Sequence, residues 1–123
     1  MKLSSWATGY YAKTYSELRS VYETIENILT LQWFCEARDI EFLICCVDHQ
    51  KIRDERFHQN QAVRAMFEMV DQTRFLDFAV TDKSIHIDRA ADGSHPGPES
   101  NEIFSGKLFD KYLEVQSSSE APS

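Results

Sequence analysis

Cysteine and glycine are scarce in this chain of 123 residues: three cysteines and four glycines. Cys35, Cys45 and Cys46 form no C-x-x-C pair, so a zinc ribbon or a thioredoxin-type redox site is not indicated. Cys45 and Cys46 are adjacent in an apolar run, where consecutive side chains face opposite ways. They read as reduced core residues of a cytoplasmic protein. Long hydrophobic runs are also missing. The longest uncharged stretch of the aliphatic region is Asn27 to Cys35, far short of the roughly 20 apolar residues that a bilayer requires. Ser4, Ser5, Thr8 and Gly9 leave no apolar segment behind Lys2, so no secretory signal is visible. Positive charge is in deficit. With 13 basic and 20 acidic residues the net charge is −7, which disfavours non-specific binding to nucleic acid or to an anionic membrane.

What is present is the balance of a folded chain, 42% hydrophobic and 27% charged. The length and the absence of a linker or repeat predict one α/β domain over residues 1–115, with 116–123 as a flexible, small and polar tail. Residues 1–13 have no clear period, but Trp6, Tyr10 and Tyr11 give them apolar mass to lay on the body. Thr14-Tyr-Ser-Glu17 reads as a capping box. Behind it Leu18, Val21, Tyr22, Ile25, Ile28, Leu29 and Gln32 follow the three-four spacing of a long helix, which a polar break at Arg38-Asp39 closes. Ile40 to Val47 then reads as a strand buried on both faces. Helix, short joint and buried strand are the αβ half of a parallel α/β unit.

Gln50 to Gln59 is polar and reads as a surface loop, in which Lys51 to Arg56 is mixed in charge. A second helix is predicted from Asn60 to Arg74. Phe75 to Val80 fits either a short strand or an apolar loop. Ser84 to Gly97 reads as loop, and Pro98 with Glu99 opens a third helix, with Ile103, Phe104, Leu108, Tyr112 and Leu113 inward and its end near Val115. Trp33, Phe34, Phe67, Phe75 and Phe78 read as core.

One stretch pairs residue types that can do chemistry together, Asp92-Gly93-Ser94-His95-Pro96-Gly97. An aspartate three residues before a histidine can hold one ring nitrogen, leaving the other outward as a base. The carboxylate fixes the tautomer and stabilises the imidazolium formed on proton transfer. D-x-x-H spacing alone is weak, since a turn in which Asp92 caps its own backbone and His95 is merely solvated has the same sequence. Two other groupings are weaker. His86 and Asp88 with Asp92 and His95 offer metal-ligand types within ten residues. Asp48-His49 follows a predicted strand, where ligands of open parallel sheets gather, and reads more simply as a polar strand exit.

The block Asp92-Gly-Ser-His95-Pro-Gly-Pro, with a helix to Val115 behind it, resembles the last motif of the SGNH, or GDSL-type, hydrolase superfamily. Thr14 to Val47, with its run Asn27-Ile-Leu-Thr-Leu-Gln32-Trp-Phe34, is similar to the helix and strand of such a domain. The resemblance implies a three-layer α/β/α fold with a short parallel sheet, flavodoxin-like in its layering, of which this chain is the C-terminal half. It implies ester hydrolysis with His95 as general base and Asp92 as its orienting acid. The family's Gly-Asp-Ser nucleophile block, its second oxyanion glycine and its Gly-x-Asn are not found, and Gly9 is the only glycine before Gly93. Ser4 and Ser5 do not sit in a strand–turn–helix elbow and are not expected to be nucleophiles.

Three explanations stay open: a fragment, a degenerate relative, or a structural Asp92 and His95. The functions that follow are an esterase-like domain inactive until completed, a non-catalytic α/β interaction or self-association module, and a small metal-binding protein. The expected partners are a small ester substrate and a second copy or a completing chain. No cofactor, nucleic acid or membrane is implied.

Overall fold

The computed structural model describes residues 4–47 and 51–120. It is a mixed α/β structure with a short two-stranded parallel sheet. The chain divides into two compact units, Met1–Ile40 with Lys51–Val70 and Glu41–Gln50 with Asp71–Ser123.

The first unit is built on α1 (Ser5–Ala37). Ser4 caps it by accepting the Ala7 N–H at 3.2 Å. The helix therefore starts ahead of the Thr14-Glu17 box, which falls inside it. Residues 1–3 lie outside the described part. Trp6 is 77% exposed and stacks on the exposed Tyr10, so these aromatics do not lie on the body as expected. Val21, Ile25, Ile28, Leu29 and Gln32 are buried and carry the predicted stripe, Cys35 is buried beyond it, and Tyr22, Trp33 and Phe34 are exposed. The buried Gln32 is satisfied, its Nε2 donating to the Met69 carbonyl at 3.0 Å.

The break at Arg38-Asp39 has a definite geometry. Asp39 has φ 54°, the left-handed conformation. The Ile40 N–H reaches back to the Cys35 carbonyl at 2.9 Å and the Asp39 N–H to that of Glu36 at 3.4 Å, a Schellman ending with aspartate at its left-handed position.

The predicted loop over residues 50–59 holds a 3-10 turn at Lys51–Arg53 and the short α2 (Glu55–His58), capped by Asp54. In it Arg56 pairs with Asp54, and Ile52 and Phe57 are buried. Asn60 caps α3 (Gln61–Glu68), whose Val63 is buried. The helix stops well before Arg74 because Asp71 forms a turn of its own, Oδ1 accepting the N–H and the hydroxyl of Thr73.

In the second unit β1 (Ile44–Cys46) pairs in parallel with β2 (Phe75–Ala79). The predicted strand Ile40 to Val47 is thus shorter and buried on one side only. Ile44 is buried, Cys45 and Val47 are exposed, and Cys46 is half-buried, so Cys45 is not the core residue expected. A pair of strands does not supply the layers that bury both faces of a larger parallel sheet.

Arg74 joins β2 to the segment before β1: its guanidinium donates to Glu41 at 3.1 Å and to the Phe42 carbonyl at 3.0 Å. α4 (Pro98–Glu120) runs past Val115 into the stretch read as a tail, whose residues 121–123 lie outside the described part. Val115 is buried and Phe104 meets Phe78 edge to face, while Tyr112 and Leu113 are exposed rather than inward. Among the described residues no helix is long and apolar enough to cross a membrane.

Ile25, wholly buried, tests the stripe. Ile25→Ala is expected to cost about 2–5 kcal/mol in urea unfolding, and Trp6→Ala less than about 0.5 kcal/mol. Equal costs would contradict the described packing.

Candidate functional site

The segment between β2 and α4 is held at its base by Asp88 and Ser100. The Asp88 carboxylate accepts the N–H of Glu99 at 3.0 Å and that of Ser100 at 2.8 Å, capping α4 from ten residues upstream of its first turn. The Ser100 hydroxyl is fully buried. It donates to the same carboxylate and accepts the N–H groups of Ile87 and Asp88, each at 3.0 Å. Gly97 is required here. A Cβ on it would collide with the Asp88 carboxylate and the Arg89 carbonyl.

From this anchor the chain makes a tight hairpin. Arg89 and Pro96 form an antiparallel bridge, the Gly97 N–H donates to the Asp88 carbonyl at 3.2 Å, and the Ala90 N–H to the His95 carbonyl at 2.8 Å. Gly93 turns the tip with φ 77°.

At the tip, the two roles open to Asp92 are filled at once. Its Oδ1 accepts the N–H of Ser94 and of His95, both at 3.0 Å, and its Oδ2 pairs with His95 Nδ1. The backbone N–H of Ser94, then the imidazole and N–H of His95, hold the Asp92 carboxyl well below the usual carboxylate range. The Ser100 hydroxyl leads the donors that lower Asp88. Both groups are depressed in the folded state. The stability they contribute is therefore present above the ordinary aspartate value of about 3.9 and is lost as pH falls through the folded values.

The pair is open to solvent. The His95 side chain is 78% exposed and that of Asp92 49%, and the Nε2 edge of the ring has no partner among the described residues. A cleft of about 570 Å³ in the same unit is lined by Phe42, Leu43, Cys45, Leu108, Phe109 and Tyr112 among others, and neither Asp92 nor His95 lines it.

Other sequence candidates are not brought together. Among the described residues no group of three or more His, Cys, Asp or Glu side chains forms a metal-holding cluster. Asp88 is spent on α4, Asp92 and His95 on each other, and His86 keeps a buried Nε2 with no hydrogen bond. Asp48 and His49 lie outside the described residues. Ser4 serves as a helix cap. The anchoring role of Asp88 and Ser100 has no counterpart in the sequence pattern, since a cap ten residues away leaves no local spacing signal. No known protein family, curated protein or solved structure matches the chain.

Two glycines separate crowding from propensity. Gly97→Ala is expected to destabilise by about 1–3 kcal/mol through its clash. Gly106→Ala, with open space at its Cβ inside α4, is expected to stabilise by about 0.5–1 kcal/mol. Chemical denaturation of both variants checks this, and a neutral Gly97→Ala would contradict the anchor.

Proposed function

We propose that the Asp92–His95 hairpin is the base-bearing part of an SGNH-type hydrolase, carried on the C-terminal part of a three-layer, flavodoxin-like α/β/α domain and acting on a small ester. The observation that carries this reading is the pairing of His95 Nδ1 with Asp92, which leaves Nε2 outward. In the reaction, Nε2 takes the proton of a serine hydroxyl as its oxygen attacks the ester carbonyl. The imidazolium is stabilised by Asp92 and returns the proton to the departing alcohol. Water, deprotonated by the same nitrogen, then releases the acid.

Nucleophile and oxyanion donors come from a segment or partner beyond these residues. A base without them has no proton to take and no charge to stabilise, so the 123 residues alone are inactive. A second reading, a non-catalytic interaction or self-association module, is favoured by the apolar cleft and by the exposed Phe109 and Tyr112 on it.

The tautomer of His95 tests the first reading, because a base facing outward requires the proton on Nδ1. In ¹⁵N spectra of the neutral ring we expect Nδ1–H and a bare Nε2. A ring protonated at Nε2 would contradict the proposal. A fluorophosphonate should leave the isolated chain unlabelled, and stoichiometric labelling blocked by His95→Ala would refute the requirement for a completing segment.

A further inference from the structure

We infer that Arg89 is an anion-binding residue of this hairpin, and that the substrate is an ester bearing a carboxylate, phosphate or sulfate near the bond that is cut. The inference rests on the reading of Asp92 and His95 just given. Arg89 lies across the hairpin from Pro96, the neighbour of His95. Its Nη1 donates to the Gly93 carbonyl at 3.2 Å, which fixes the guanidinium at the tip that carries the dyad.

Its two nearest acids in sequence would ordinarily neutralise it, Asp88 one residue before and Asp92 three after. Neither does. Asp88 is engaged by Glu99 and Ser100, and Asp92 by Ser94 and His95. Arg89 forms no ion pair with a described residue, although the chain carries a net charge of −7.

A guanidinium has five N–H donors in a planar fork that fits carboxylate and phosphate oxygens. One of them is used on the Gly93 carbonyl, which orients the fork before a ligand arrives and leaves the others for an anion. An anion held there ties the substrate to the hairpin that presents His95 Nε2, and so restricts the ester to the neighbourhood of its base. Arg89 acts as a substrate-positioning residue and takes no part in proton transfer.

The test titrates ¹⁵N-labelled chain with inorganic phosphate and, separately, with acetate, at constant ionic strength so that general screening does not vary. Saturable shifts are expected at the Arg89 side chain and at His95. Response to phosphate alone assigns a tetrahedral anion, to acetate alone a carboxylate, and to both an oxyanion without regard to shape. Arg89→Gln keeps a donor for the Gly93 carbonyl while removing the charge, and should weaken binding about tenfold. Shifts that rise linearly without saturation, or that are unchanged in Arg89→Gln, would overturn the inference. The His95 tautomer is read on the same samples. A proton on Nδ1 with no anion response removes Arg89 alone, whereas a proton on Nε2 removes the underlying reading whatever Arg89 does.

Discussion

Everything at the candidate site depends on the half-buried Asp88 carboxylate and the hydrogen bonds it accepts. Asp88 caps α4 and is bound by a hydroxyl with no exposure to solvent, so the ends of the 88–97 hairpin are fixed to a helix of 23 residues. Both Asp88 oxygens accept from Glu99 and Ser100, and Asp88 forms no ion pair with its neighbour Arg89. Because Gly97 admits the carboxylate, the chain can close to the bridge between Arg89 and Pro96, and the tip is then short enough for Asp92 to reach both its own turn and the imidazole. Helix capping, turn formation and dyad geometry thus follow in order along one set of hydrogen bonds.

Much of this was legible locally. The stripe from Val21 to Gln32 has helical spacing, and of its residues all but Tyr22 are buried. Pro98 and Glu99 marked the start of α4 because proline and an acid suit a first turn. Asp92 and His95 were recognisable because three residues in a glycine-containing turn bring two side chains onto one side. Non-local features were not legible. The start of α1 is not legible, because Thr14-Glu17 has the composition of a cap while Ser4 performs the capping. The strand at Ile44–Cys46 was overextended because an apolar run does not say how many layers cover it. The end of α3 was misplaced because Asp71 bends the chain through its own side chain. Arg89 carries no local signal, because the engagement of Asp88 by Glu99 and Ser100 is set by tertiary structure.

On the proposed reading His95 is a base that still lacks its nucleophile. Its imidazole is oriented but solvated, and water around it weakens every electrostatic contribution that catalysis would use. The apolar cleft beside α4 is lined by other residues of the same unit. The solvated Asp92–His95 pair and the apolar cleft lie on the same unit, which is what the two proposed readings share.

The central claim is that Asp92 is fully engaged at the tip of the hairpin by two backbone N–H groups and the His95 ring. A ¹³C-detected titration of the Asp92 carboxyl tests it most directly. The account predicts a midpoint well below the ordinary aspartate value of about 3.9, moving upward but not fully back in His95→Ala, since Ser94 and the residue at 95 still donate from the backbone. A midpoint at the ordinary value in the unmodified chain would contradict it.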